Sequence, residues 1–223
     1  MHPTQKILLK RLLTQNNQKY SSLISGYTHD DNILFHLKKL IADGFTEKQN
    51  NLYAITTSGI KQITHFNLPD LDNSGFKTFF IGFLCHCHNQ YLLKAHPQGN
   101  INFYNLPSGK PKFGEKIEDA LTRTFFENTG LKLPSKNFKY RSLHLKTVKT
   151  SKNEVLFDDA FAIYEVVITE KQKSQMKLKP EINWHTREEI KTLPNRWPEI
   201  KICIFDQNFS PCLAYSITSD YIL

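Results

Sequence analysis

The chain has no uninterrupted apolar run approaching the roughly 20 residues that a membrane-spanning helix needs, which argues against an integral helical membrane protein. Cysteine is scarce, with four in 223 residues and no framework spacing. A disulfide scaffold is thereby excluded, and a reducing, cytoplasmic setting is expected. The leucine-rich N-terminal segment is interrupted by Lys6, Lys10 and Arg11, so it reads as an amphipathic helix and not as the apolar core of a signal peptide. There is also no basic block. The net charge of +8 is split evenly: residues 1–68 carry 8 basic and 4 acidic residues, residues 69–223 carry 21 and 17, and each part contributes +4. Such a balance permits an anionic partner without establishing nucleic-acid binding. Internal repeats and low-complexity tracts are missing as well. What remains is 39% apolar content, enough for a packed core in one domain or two.

The first 66 residues follow one pattern. Ile7, Leu8, Arg11 and Leu12 lie on helical spacing after Pro3, and Tyr20–Ser25 is a second short helix. Thr28 offers an N-cap to a third helix, with Asp30 and Asp31 in its first turn, Ile33, Leu37, Leu40 and Ile41 on its apolar face, and Gly44 at its end. Two short strands flank Gln49-Asn50-Asn51, and a further helix starts at Thr57 or Ser58. The strings His36-Leu-Lys-Lys-Leu40 and Tyr53-x-Ile-Thr56-x-x-Gly59 resemble those of a bacterial or archaeal winged helix-turn-helix, over residues 3–66. That resemblance implies a third helix placed in the DNA major groove, with Lys38, Lys39 and Lys48, and also Lys19, as candidate backbone contacts. Asp30, Asp31, Leu34 and Phe35 suit neither phosphates nor base edges. DNA binding and a protein-interaction or homodimer module both stay open.

Residues 67–77 are polar, with Pro69 and Gly75, and read as a linker. From Thr78 the texture turns to strands: Phe79–His88, Tyr91–Lys94, Tyr140–Val148 and Ala160–Ile168. Between them lies Gly109-Lys-Pro-Lys-Phe-Gly-Glu115-Lys-Ile-Glu-Asp-Ala-Leu-Thr-Arg123-Thr-Phe-Phe-Glu127-Asn-Thr-Gly130-Leu131, a Gly-bearing loop that opens a helix over 115–128. This stretch resembles the Nudix box, G-x5-E-x7-R-E-U-x-E-E-x-G-U, where U is a bulky apolar residue. Gly109, Glu115, Arg123, Phe125, Glu127, Gly130 and Leu131 match at the correct spacing, while Thr124 and Asn128 replace two expected carboxylates. A Trp184-bearing strand that runs into a short helix closed by Leu193-Pro194 extends the likeness to about residues 78–205. The resemblance implies an α+β chain: a winged helix-turn-helix at 1–66, a linker at 67–77, and at 78–223 a Nudix-type α/β/α sandwich with a mixed sheet.

Nudix enzymes hydrolyse nucleoside diphosphates linked to another group, using magnesium or manganese held by clustered carboxylates. Helical positions i, i+3 and i+4 share a face, and here they are Thr124, Glu127 and Asn128. Glu127 is thus the metal and catalytic candidate, and a bound magnesium or manganese ion is expected to be weak. Glu115 is read first as the structural partner of Arg123 and second as a peripheral ligand. Gly109, Lys110 and Arg123 are candidate ligand contacts, with the glycines serving a tight loop. Asp158 and Asp159 are read as a solvated turn before the Ala160 strand, with a substitute metal-site role as the alternative. Cys85-His86-Cys87-His88 has metal-ligand chemistry, but alternation along a strand sends cysteines and histidines to opposite faces, so a plain strand is expected. The functional expectation is a nucleotide-like ligand bound by a degenerate box, with a regulatory output through the winged helix. The alternative is an active metal-dependent hydrolase.

Overall fold

The computed structural model describes residues 1–28, 32–63, 77–98, 101–206 and 210–219. The chain divides into two compact units, Met1–Phe76 and Lys77–Leu223. Of the expected linker, residues 67–76 lie outside the described residues. Among the described residues, no helix is long and apolar enough to cross a membrane.

The first unit runs α1 (Pro3–Thr14), β1 (Gln18–Lys19), α2 (Tyr20–Leu23), α3 (Ile33–Ala42), β2 (Thr46–Gln49), β3 (Leu52–Ile55) and α4 (Thr57–Ile63). Its three strands form an antiparallel sheet in the order β1-β3-β2. Leu8, Leu9 and Leu12 of α1 meet Leu37 and Leu40 of α3, Tyr53 and Ile55 of β3, and Ile63 of α4 in one core. Three expectations shift here. α2 stops at Leu23, not Ser25. α3 begins at Ile33 behind Asn32, whose left-handed backbone (φ 48°) provides no side-chain cap, so Thr28 does not cap it. Asn tolerates that conformation better than most residues, and the start of the helix follows the turn. Asp30 and Asp31 lie outside the described residues. Ile41 is not on the inner face but exposed. His36 takes the fourth inner position beside Ile33, Leu37 and Leu40, and its ring stacks on His2 at 4.3 Å.

The second unit is built on a mixed sheet. Its strands are β4 (Thr78–Cys87), β5 (Gln90–Gln98), β6 (Ile101–Asn105), β7 (Ser108–Gly109), β8 (Lys139–Lys149), β9 (Val155–Val167), β10 (Ile182–Thr186) and β11 (Cys212–Thr218). The main order is β10-β5-β4-β9-β8-β11, with β6 paired to β5 and β7 to β4. β4–β9 and β8–β11 are parallel and the remaining pairs antiparallel. Alternation along β4 splits its side chains between two cores. Ile81, Phe83, Cys85 and Cys87 pack with Ala120, Leu121 and Phe125 of α5 (Ile117–Thr129). Leu84 packs with Ile190 of α7 (Arg187–Thr192) and with Ile200, Cys203 and Ile204 of α8 (Pro198–Phe205). A helix layer on each face of a mixed sheet is the α/β/α class expected. A short helix α6 (Glu170–Ser174) follows β9.

Candidate functional site

α5 forms because its apolar residues recur at helical spacing and its ends suit it. Glu118 and Asp119 occupy the first turn, where the helix dipole favours negative charge. Gly130 closes the helix at φ 67°, and a Cβ there would lie 2.9 Å from Lys177 Cβ. On the buried side Phe125 makes edge contacts with Phe83 and Phe138, at 5.2 and 5.4 Å between ring centroids.

The outer side of α5 is organised by Arg123. Its Nε donates to Glu115 Oε1 and its Nη2 to Glu115 Oε2, both at 2.7 Å. This two-pronged geometry is the strong form of a guanidinium–carboxylate contact. Nη2 also donates to the Lys110 carbonyl at 3.2 Å, and Nη1 to Glu127 Oε2 at 3.0 Å. The Lys112 amide donates to Glu115 Oε2 at 2.8 Å. These contacts hold the Glu115 carboxyl at about 2, well below its ordinary 4.5, with the Arg123 hydrogen bonds as the main cause and the Lys112 amide next. The Glu115 carboxylate in turn raises the affinity of Arg123 for its proton. Through these contacts Glu115 ties the loop to the helix.

Thr124 and Asn128 belong to a different face. They are 1% and 4% exposed, whereas the Glu127 side chain is 49% exposed and turned onto Arg123. The expected three-residue cluster is therefore not formed: positions i and i+4 point under the loop, and i+3 points out to the guanidinium. Asn128 Nδ2 donates to the Thr124 carbonyl at 2.8 Å and to the Ser108 carbonyl at 3.3 Å. Among the described residues, Thr124 Oγ1 has no hydrogen-bond partner. A Cβ on Gly109 would stand 2.5 Å from Thr124 Cγ2, so Gly109 serves the close approach of β7 to α5. These residues fit a magnesium ion poorly. Magnesium wants carboxylate oxygens and retained waters, but the inner face offers two neutral buried side chains, and both outer carboxylates already bind Arg123.

Across β7 lies a cavity of about 280 Å³, near the lower end of ligand-sized pockets (~300–1,000 Å³). Phe80, Phe157, Phe161 and Trp197 wall it, and Lys110, Lys146, Asp159, His96 and Ser108 supply its polar groups. Lys110 Nζ sits 4.9 Å from the centre of the Phe80 ring. Lys146 Nζ is 4.4 Å from the centre of the Trp197 ring and 2.8 Å from Oε1 of the fully buried Glu199. Burial raises the Asp159 carboxyl above its ordinary range, while the Lys146 ammonium pulls the other way. Burial likewise lowers His96, and Lys94 adds to that. Both aspartates lie inside β9, which corrects the solvated-turn reading: Asp159 is half-buried at the cavity, and Asp158 is held by Lys77 and by Thr147 Oγ1 at 2.8 Å.

Of the predicted residues, Glu115, Arg123, Glu127 and the Lys110 backbone come together, with Gly109 beside Thr124. The Lys110 side chain reaches the cavity, where Asp159 also lies. Lys146, His96, Trp197 and Glu199 were not foreseen. Lys146 left a trace in the sequence, since it continues the inward period-two row of Ser142 and His144 on β8. The DNA-contact candidates have separate settings: Lys38 is exposed, Lys39 is paired with Asp43 at 2.7 Å, and Lys48 Nζ lies 5.3 Å from the centre of the Tyr53 ring.

No family model and no curated protein matches the sequence. Solved structures similar to part of the chain include Nudix proteins. The MutT mutator protein of Bacillus halodurans is 18% identical, over 64% of this chain and 92% of that one, at a TM-score of 0.48. The Nudix domain of Shewanella oneidensis NrtR, solved with ADP ribose, is 10% identical over 66% and 94%, at 0.44. A Nudix hydrolase from Nitrosomonas europaea is 22% identical over 58% and 86%, at 0.40.

Proposed function

We propose that the unit Lys77–Leu223 is a Nudix-type module that binds a nucleoside-diphosphate-type ligand without efficient hydrolysis. We further propose that residues 3–66 are a winged helix-turn-helix through which binding is read out. The observation that carries this reading is the box itself: Arg123 holds both Glu115 and Glu127, and neutral Thr124 and Asn128 are packed beneath Gly109. The adjoining cavity supplies what such a ligand needs, namely aromatic faces for a base and the ammonium groups of Lys110 and Lys146 for phosphates. A second reading, a metal-dependent hydrolase, is favoured by one feature, the Asp159 carboxyl at the same cavity.

Calorimetry with ADP ribose and nucleotide sugars, in chelator and then in magnesium or manganese, tests the two readings, with product release followed in the same samples. The proposal expects binding in chelator and little turnover with either metal. Metal-dependent turnover at ordinary enzyme rates that is lost in Glu127→Gln would establish the hydrolase instead. Output on DNA is expected to be weak and steep in salt, because scattered lysines supply backbone contacts only.

A further inference from the structure

The Cys85-His86-Cys87-His88 run does not behave as a plain strand to its end. Cys85 and Cys87 point into the core shared with α5, and His86 turns away to Glu165, at 3.2 Å. Alternation stops after Cys87, the last residue of β4. His88 lies in the turn, at φ 51°, in the left-handed region where His, like Asn and Asp, is enriched among residues that carry a β-carbon. There its imidazole comes within 4.8 Å of the Cys87 thiol. α6 then delivers Glu170 to the same point: Cys87 Sγ donates to Glu170 Oε1 at 3.3 Å, and His88 Nε2 lies 3.8 Å from that oxygen. The three donor atoms all fall within 4.8 Å of one another.

We propose that Cys87, His88 and Glu170 form a binding site for a zinc-class divalent cation, with solvent as the fourth ligand. Thiolate, imidazole and carboxylate bind zinc at about 2.0–2.3 Å, which places donors around a tetrahedral ion about 3.4–3.8 Å apart. The spacing here needs only small side-chain movements to reach that. Cys87 closes the site on the inside, while His88 and Glu170 are exposed and leave the outer position to water. Glu170 is not otherwise committed to capping α6, because Thr169 and Gln172 form the reciprocal cap. Lys173 Nζ, 3.9 Å from Glu170 Oε2, moderates affinity. Metal binding replaces the thiol proton, which passes to solvent, so affinity rises with pH. The bound ion would clip the β4–β5 turn to α6, on ligands separate from the Arg123 box.

Cobalt(II) titration of the full chain tests this, because a cobalt–thiolate bond gives a near-ultraviolet charge-transfer band. One equivalent should saturate the band, and zinc should abolish it. Cys87→Ser should remove it, and Ser in place of the exposed Cys212 should leave it. The exposed changes His88→Gln and Glu170→Gln should weaken cobalt by about tenfold or more, since even indirect ligand support is worth that much. They carry the test if Cys87→Ser fails to fold, with circular dichroism checking each variant. Absence of a thiolate band at millimolar cobalt overturns the proposal. So does a band that survives Cys87→Ser, or one that is indifferent to both His88→Gln and Glu170→Gln.

Discussion

Thr124 carries a buried hydroxyl without a partner among the described residues, and such a group costs roughly 1–3 kcal/mol. Thr124→Val keeps its shape and removes that cost. The variant should melt higher than the parent, by an amount equivalent to about 1 kcal/mol, and should bind nucleotide unchanged. A loss of ligand affinity would show that the hydroxyl belongs to the binding site. Glu115 makes a second prediction. Folding lowers its carboxyl from 4.5 to about 2 through Arg123 and the Lys112 amide. Its stabilising contribution is therefore complete above the unfolded value and is lost as pH falls through the folded one. Glu115→Gln should melt below the parent at neutral pH, and the gap should close between about pH 4.5 and 2. A gap that is constant with pH would mean that the carboxylate charge does not hold the loop.

At the scale of elements, β7 and α5 are fitted closely where Gly109 lies over Thr124. Gly109→Ala should destabilise by about 1–3 kcal/mol, the usual cost of overpacking. Thr124→Ser removes the clashing methyl and should recover most of that loss, so thermal melts of the two single variants and the double should be non-additive. Additive effects would place the strain elsewhere. The parts of this architecture that could be read from the sequence are those with a period or a motif. α5 was expected over 115–128 and is found at Ile117–Thr129, because its apolar spacing and closing Gly130 are local signals. The strand expected at Tyr140–Val148 is longer at both ends, as Lys139–Lys149, and the one expected at Ala160–Ile168 begins earlier and stops before Ile168, as Val155–Val167. Pairing extends them past their apolar centres, which is how Asp158 and Asp159 come to lie inside β9. β7, two residues long, and β6 carry no period and exist through their partners. The Glu115–Arg123 tie was legible only through the resemblance of residues 109–131 to the Nudix box. The cavity was not, because Lys146, Asp159 and Trp197 are gathered by β8, β9 and the start of α8, which are distant in sequence.

At the scale of the molecule, two compact units meet in sequence at Phe76–Lys77, and residues 67–77 are polar with few bulky side chains. Limited proteolysis should cut first within 67–77 and release two resistant fragments. First cleavage inside 109–131 would contradict this division. In the second unit, Lys110 joins two features of different kinds. Its carbonyl is held by Arg123, and its ammonium lines the cavity over Phe80. On the proposed function, an anionic ligand that fixes the ammonium would also favour the loop conformation in which Glu115 is ionised. The protonation of Glu115 and the occupancy of the cavity are then linked functions, and linkage is reciprocal. Acid that protonates Glu115 must loosen the ligand by the same factor by which the ligand lowers the proton affinity of Glu115.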